Sequence, residues 1–303
     1  MGFSKSSFGI RTLLSIATAR QSKVEGISKR RIRRYLPLVF GLWIVLTMVI
    51  IAIIAPWIVP YSPSAQYPDY VLKGPSSRHL LGTDMYGRDL LSRIIWGTRV
   101  SLEVGVSSVV LGFLIGTPLG IIAGYFGGKI EALIMRMTDI MLAFPLLLLA
   151  LIIVTVLGSS LTNEIIAIGV GLIPNFVRLS RSLVLSLKEN EFIMAAQAAG
   201  SSNLRIMIRH LFPNMVATLI VMASLYVASS IRVEAGLSFL GLGVPPPTPS
   251  WGNILSEGRQ YIKCCSWITT FSGLAIMIAV LAFNIVGDAI RDILDPRLRG
   301  EDL

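Results

Sequence analysis

Apolar runs nearly free of charged residues recur along this chain and limit the folds open to it. A helix needs roughly 20 apolar residues to cross a bilayer, and these runs have about that length. The chain has 303 residues, of which 53% are hydrophobic and 15% charged, so it is too apolar for a soluble globule. We predict an all-α integral membrane protein with six transmembrane helices. The predicted spans are about 36–59, 101–126, 136–158, 164–182, 212–233 and 267–288.

Polar segments between these spans complete the predicted organisation. Residues 1–35 are read as a basic tail without an evident cleavable signal peptide. Residues 60–100 are predicted to form an outer loop that carries a surface amphipathic helix. Residues 101–290 form one transmembrane domain, which is interrupted by a polar loop at 188–213. Residues 291–303 are predicted to be a second tail.

The distribution of basic residues predicts which ends of the spans face the cytoplasm. Lys and Arg concentrate in the cytoplasmic segments of membrane proteins. If the N-terminus lies inside, nineteen of the 27 Lys and Arg residues fall on inner segments and eight on outer segments. Both termini and the loop 188–213 are therefore predicted to be cytoplasmic. The basic cluster at 29–34, directly before a span, indicates contact with anionic lipid rather than a nucleic-acid site.

The loop 188–213 is longer and more regularly patterned than a turn between two spans requires. Its alanines favour a helix, Gly200 interrupts that helix, and apolar residues then recur until Pro213. The pattern predicts a short helix, a glycine turn and a second amphipathic helix, which form a rigid surface for docking another protein. An ordinary interfacial helix is the alternative. The candidate residues are Glu191, Met194, Ala195, Ala196, Ala199, Gly200, Arg205 and Pro213.

Glycines recur every four residues through the second predicted span. Small residues at this spacing let two helix backbones approach closely inside a membrane, where lipid offers no hydrophobic drive for association. The span is therefore predicted to lie among other helices rather than against lipid. The predicted packing residues are Gly112, Gly116, Gly120, Gly124 and Gly128.

The ionisable residues give no sign of catalysis, nucleotide binding or ion coupling. No predicted span has a charged residue near its centre, as ion-coupled carriers need. The segment 127–129 lacks the first glycine and the final Ser or Thr of a phosphate-binding loop. Asp84, Arg88, Asp89 and Arg93 lie beside an apolar stripe, so we expect a surface helix whose charges face water. The chain is therefore predicted not to be an enzyme and to take its energy from a partner.

The two cysteines do not predict a structural bridge or a metal site. Cys264 and Cys265 are adjacent, and neighbouring cysteines can close only a strained ring, so we expect two free thiols. The two histidines, His79 and His210, are predicted to lie on opposite sides of the membrane. No metal or other cofactor is therefore expected on this chain.

The polar loop resembles the EAA loop of ATP-binding-cassette (ABC) importer permeases. That pattern is Glu-Ala-Ala, three residues, Gly, nine residues and a hydrophobic run that ends at Pro. The segment 194–196, Gly200 and Pro213 fall on this spacing, with Met194 in place of the glutamate. Further segments resemble the dipeptide, oligopeptide and nickel class of these permeases, and the resemblance extends from about residue 36 to residue 299. These segments are 79–84, 87–93, 123–128, 237–243, 246–252 and 284–299.

The resemblance implies a type I ABC importer permease fold and a set of partners. A homologous second permease subunit would pair with this chain, and the transport path would lie between them. Two cytoplasmic ATPase subunits, which hold ATP and Mg²⁺, would dock on the loop 188–213. An extracytoplasmic solute-binding protein would deliver the substrate, and the complex would lie in a bacterial inner membrane.

The class implies peptides as the substrate, while nickel, glutathione or another small solute stays open as an alternative. From the residues alone, an ATP-independent channel or carrier and a membrane-anchored scaffold are the rival functions.

Overall fold

The computed structural model describes residues 36–294, which fold mainly into α-helices. The predicted tail 1–35 and the end of the chain from 295 lie outside the described residues. The helices are α1 Leu36–Ile58, α2 Leu90–Phe126, α3 Gly128–Leu142, α4 Leu146–Leu157, α5 Leu161–Leu187, α6 Glu191–Ala198, α7 Asn203–Phe239, α8 Trp251–Gly258 and α9 Trp267–Leu294. Short 3₁₀ turns lie at Pro68–Tyr70 and Arg259–Tyr261.

Five of these helices are long and apolar enough to cross a bilayer: α1, α2, α5, α7 and α9. The described residues hold a sixth candidate span, because α3 and α4 pass the same test when taken together. The two helices are bent by 88°, so the segment predicted as the span 136–158 is a broken helix pair, 128–157, rather than one continuous helix. The break is at Pro145, which caps the N-terminus of α4 and cannot donate a backbone hydrogen bond to a continuing helix.

The centre of the molecule is built from α2, α5 and α7. Their apolar faces meet in one buried cluster that includes Leu172 and Phe176 of α5 and Leu219 of α7. α1 lies on the outside, against α9, where a Cβ atom on Gly41 would lie 2.9 Å from Cγ2 of Ile285. α8 contacts α2, α7 and α9 at the end of the bundle opposite α6.

Four of the glycines in α2 lie against α5. A Cβ atom on Gly116 would lie 2.6 Å from the carbonyl oxygen of Ile173, and Gly112, Gly120 and Gly124 meet α5 in the same way. Gly128 departs from the predicted face because α2 ends at Phe126 and Gly128 begins α3, where a Cβ atom would meet nothing within 4 Å. Helix α2 is thus packed on α5 along four turns.

The surface helix expected within 60–100 is instead the first part of α2, which runs unbroken from Leu90. Its charges do not face water: Asp84, Arg88, Asp89 and Arg93 are all buried. The apolar stripe packs on α8 and α9, since Leu90 clusters with Ile254 and Ile268. The expectation of water-facing charges is therefore wrong, because this end of α2 is covered by residues from the far end of the chain.

These buried charges neutralise one another. Arg88 donates from Nε to Oδ2 of Asp84 at 2.6 Å and from Nη2 to Oε2 of Glu257 at 2.7 Å. Nη1 of Arg93 donates to the same two carboxylates. Asp89 caps α2 by accepting from the backbone N–H of Ser92 at 2.8 Å. The network joins the loop before α2 to α8.

Candidate functional site

Helix α6 is held against the core by one side of its surface. Ile193 is fully buried in the central cluster, and Ala196, one turn later, packs against that cluster. A buried isoleucine stabilises the folded state by roughly 1.5–3 kcal/mol relative to an exposed one. The helix therefore has a fixed position on the ends of the spans. The sequence pattern predicted a role for the alanines but not for Ile193. The apolar side chain of Ile193 within a polar loop could have indicated this anchor.

The chain reverses after α6 in a tight turn at Gly200. This residue has a φ of +77°, which is costly for a residue with a Cβ atom. Its N–H donates to the carbonyl of Gln197 at 2.9 Å, and the N–H of Ser201 donates to that of Ala196 at 3.0 Å. These two bonds form the Schellman motif that commonly ends helices. Ser202 then begins α7, since its Oγ accepts from the N–H of Arg205 at 3.4 Å.

The other side of this unit exposes apolar side chains. Phe192 is 42% exposed and Met194 is 52% exposed on α6, while Leu204 is 63% exposed and Ile208 is 59% exposed at the start of α7. Ala195, Ala199 and Gly200 are exposed between them. We call these seven residues the docking face. Exposed apolar groups held on a rigid support are typical of a surface that binds another protein.

Two hydrogen bonds join this unit to the end of α2. The hydroxyl of Tyr125 donates to Oδ1 of Asn203 at 2.9 Å, and Nζ of Lys188 donates to the carbonyl of Gly124 at 3.5 Å. The first bond ties the start of α7 to the last turn of α2, and the second ties the residue that ends α5 to the same turn. Neither Tyr125 nor Lys188 is among the residues that the loop pattern predicts.

Most of the residues predicted for this loop are brought together, but one is not. Glu191 is exposed at the start of α6, and Arg205 is exposed just across the Gly200 turn. Pro213 was expected to close the loop before a separate span. It lies instead inside α7, about two turns beyond Arg205, so the second short helix is continuous with the span. A π-helical segment, Ile206–Leu211, comes directly before it, and this wider turn accommodates a residue that lacks an N–H donor.

Residues 36–294 contain no group of three or more His, Cys, Asp or Glu side chains arranged to hold a metal ion. Within the same range Cys264 is an exposed free thiol and Cys265 is a buried one.

Comparison with known proteins shows the family to which this chain belongs. Residues 116–300 match the family described as binding-protein-dependent transport system inner membrane component, and residues 29–75 match the N-terminal transmembrane domain of oligopeptide transport permease C. The dipeptide transport system permease protein DppC of Alkalihalophilus pseudofirmus is 48% identical over 86% of this chain and 86% of its own length. The chain belongs to the family of binding-protein-dependent transport system inner membrane components. It is a multi-pass, non-catalytic permease of an ABC importer, which implies a complex with ATPase and other subunits.

Two other relatives of this permease are named for the transport of different substrates. The di/tripeptide transport system permease protein DppC of Pseudomonas aeruginosa is 47% identical over 86% of this chain and 88% of its own length. The glutathione transport system permease protein GsiD of Pectobacterium atrosepticum is 42% identical over 89% of this chain and 90% of its own length.

The permease also shares its fold with the methionine ABC transporter MetNI in inward-facing conformations. The TM-score is 0.57 at 20% identity, over 68% of this chain and 98% of the other. The predicted type I ABC importer permease fold is confirmed.

Proposed function

We propose that this permease moves peptides across a bacterial cytoplasmic membrane, with both termini and the docking face in the cytoplasm. The peptide substrate is supported by relatives named for dipeptide and di/tripeptide transport. The orientation is supported by the excess of Lys and Arg on the segments assigned to the inside. A relative named for glutathione transport makes that tripeptide the second candidate substrate.

The working complex in this proposal has four further subunits. A homologous second permease pairs with this chain, two ATPase subunits bind below the pair, and an extracytoplasmic solute-binding protein delivers the peptide. ATP and Mg²⁺ are held by the ATPase subunits, and this chain holds no cofactor or nucleic acid. The lipid bilayer surrounds the spans.

The observation that carries the proposal is the rigid docking face. α6 is anchored by Ile193 and ends in the Gly200 turn, while Phe192 and Met194 remain exposed. ATP-driven closure of the ATPases would push α6, and the continuous helix α7 would pass that push to the bundle. Such a movement is a rigid-body switch between two states of packed helices.

The proposal is tested with Ala195→Glu in the reconstituted transporter. Ala195 is exposed, so a bulky charged side chain there leaves the core intact and obstructs docking. Gly200→Val tests the turn itself, because valine disfavours a positive φ. Both variants should insert and pair with the second permease, while a pull-down of the ATPase subunits or peptide-stimulated ATP hydrolysis should fall at least tenfold.

Met194→Glu serves as the matched control on the same helix. Met194 is exposed like Ala195, and the substitution introduces the residue found in the pattern that this loop resembles, so hydrolysis should be retained. Normal ATPase binding and hydrolysis by both Ala195→Glu and Gly200→Val would overturn the coupling role. Uptake of a labelled dipeptide and of labelled glutathione by the wild-type complex separates the two candidate substrates.

A further inference from the structure

The break between α3 and α4 lies deep within the span that the two helices form together. Residues 143–145 separate the helices, whose axes are bent by 88°. A Cβ atom on Gly171 of α5 would meet the side chain of Leu146, the first residue of α4. Gly171 is about 5 Å along the helix from Pro174, the middle residue of α5, which is long enough to span a bilayer. The break is therefore near the middle of the bilayer, not at its surface.

Backbone groups at the break are left without helical partners. The N–H of Phe144 donates three residues back, to the carbonyl of Met141 at 3.3 Å, and Pro145 has no N–H to donate. No side chain of the described residues caps the start of α4, and the first N–H groups of a helix have no partner inside it. Ala143, Phe144 and Pro145 are all exposed on the surface of the chain. Polar backbone groups therefore have to be satisfied by whatever surrounds the chain at this depth.

An ion pair lies on the same side of α3 as the break. Nη2 of Arg178 in α5 donates to Oδ1 of Asp139 at 2.6 Å, and both side chains are 53% exposed. Asp139 is one turn before Ala143, whose N–H donates to its carbonyl, so the two side chains share a face of α3. Arg178 is about 6 Å from the middle of α5, well inside the half-thickness of about 15 Å of a hydrocarbon core. The observed helix thus places Arg178 deeper than the predicted span 164–182 did.

Lipid hydrocarbon is a poor environment for these backbone and charged groups. It offers no hydrogen-bond partner, so irregular backbone at this depth is tolerated only where protein covers it or where it lines a water-filled cavity. Charged side chains within spans face the same two environments and mark the routes of transported solutes. The choice is therefore between a second protein surface and water.

The ion pair favours water over a second protein surface. Within the described residues, one hydrogen bond joins Asp139 to Arg178, so Oδ2 of the aspartate and most N–H groups of the guanidinium stay open. A dry protein contact would have to supply a partner for each of them, because a charged group buried without its hydrogen bonds is destabilising. Water satisfies them all without a specific partner.

We propose that the α3–α4 break lines the water-filled path along which the peptide crosses the membrane, with Asp139 and Arg178 on the wall of the same path. This inference rests on the proposed peptide transport and assigns part of the wall to named residues of this chain. Water in the path satisfies the free backbone groups of the break and hydrates the ion pair. The break offers polar main-chain groups to the peptide as it passes. Because all peptides share the same main chain, such a wall does not select among their side chains.

The test measures how far water reaches the break in the assembled transporter. In a background without Cys264 and Cys265, Ala143 is replaced by cysteine, and opened membrane fragments are treated with a charged methanethiosulfonate reagent. The reagent reacts with the thiolate, which forms in water but not in hydrocarbon. We expect Ala143→Cys to react roughly tenfold faster, or more, than a cysteine at an equally deep position that faces lipid. Phe144→Cys, at a second exposed position of the break, gives an independent rate if Ala143→Cys fails to assemble.

Leu114→Cys is the matched control on α2. Leu114 is 63% exposed and lies at the same depth, because the flanking Gly112 and Gly116 meet residues 172–173 of α5. Helix α2 is continuous at this position, so it leaves no break in the membrane. Equal rates at positions 143 and 114 overturn the proposal, because the break would then be no more open to water than an ordinary helix surface. That is the result expected if lipid or the second permease covers the break.

Uptake of a labelled dipeptide by the parent transporter separates this inference from the proposed function. Rapid labelling of Ala143→Cys without uptake would count against the peptide substrate and support the water-filled path. Uptake together with slow labelling would overturn the path alone. Once labelled, Ala143→Cys should lose roughly tenfold or more of its peptide uptake, because the bulky group narrows the path, whereas labelled Leu114→Cys should not. Full uptake after complete labelling at position 143 also overturns the proposal.

Discussion

Gly120 of α2 lies directly against the backbone of Val177 in α5. A Cβ atom on Gly120 would be 2.5 Å from the carbonyl oxygen of Val177 and 2.6 Å from Cβ of Ser180. Real side-chain carbons do not approach a backbone that closely, so the two helices can keep their separation only with glycine at this position. The same relationship at Gly116 shows that the contact is a continuous seam.

Replacing Gly120 with leucine should therefore force α2 away from α5 and lower the yield of folded permease severalfold. Overpacking a tight contact commonly costs about 1–3 kcal/mol or more, and here the obstacle is backbone that cannot rotate away. Val110→Leu, at a position on α2 that is 48% exposed, is the control and should leave the yield unchanged. Size-exclusion profiles of the two purified variants provide the measurement. Equal yields of the two variants would show that the α2–α5 contact does not require glycine at position 120.

The buried charge network should be far more sensitive to substitution than an exposed ion pair. Asp84→Asn removes the charge that faces Arg88 and Arg93, both of them buried. Breaking a buried pair by removing one partner typically destabilises a protein by about 3–5 kcal/mol. Thermal unfolding of the purified transporter should show a lower midpoint for this variant.

The matched control is Asp139→Asn. Asp139 accepts from Nη2 of Arg178 at 2.6 Å, but both side chains are 53% exposed. An exposed pair contributes about 0–1 kcal/mol, so the unfolding midpoint should hardly move. A larger loss for Asp139→Asn than for Asp84→Asn would contradict the assignment of the buried network as a structural link.

The adjacent cysteines should react at very different rates. Cys264 is exposed, whereas burial raises the pKa of the Cys265 thiol to about 11, with the neighbouring Cys264 thiol adding to the rise. The thiolate is the reactive form, so near neutral pH an alkylating reagent should modify Cys264 first. In Cys264→Ser, which removes the neighbouring thiol and leaves burial as the cause of the raised pKa, labelling of Cys265 should still increase roughly tenfold per pH unit below that pKa. Mass spectrometry of labelled protein gives the rates, and rapid labelling of Cys265 at neutral pH would contradict its burial.

The proposed orientation predicts opposite labelling for two exposed positions. In a background without Cys264 and Cys265, a cysteine at Ser76 should react with an impermeant reagent in intact cells. A cysteine at Gln197 on α6 should react only after the cells are opened. Both positions are exposed, so access to the side chain does not differ. Labelling of position 197 from outside would invert the proposed topology.

Much of the fold was predictable because the signals are local. The apolar runs located α1, α2, α5, α7 and α9, since hydropathy and length alone decide whether a helix can cross a bilayer. The alanines followed by Gly200 likewise located α6 and its turn, because helix propensity and a positive φ are properties of a few neighbouring residues. The glycine spacing indicated the face of α2 that meets α5, although it included one glycine too many, Gly128.

The sequence by itself determined that this is a helical membrane protein with a patterned loop between two spans, because each of those features is encoded within about 25 residues. The tertiary structure alone decided which polar groups are buried. Arg88 and Arg93 look like water-facing charges until Glu257, 169 and 164 residues away along the chain, reaches them. Glu164 and Glu234 look like ordinary residues near helix ends, yet both are fully buried once the helices pack. Burial depends on all the elements that cover a residue, and the sequence alone does not show which distant elements those are.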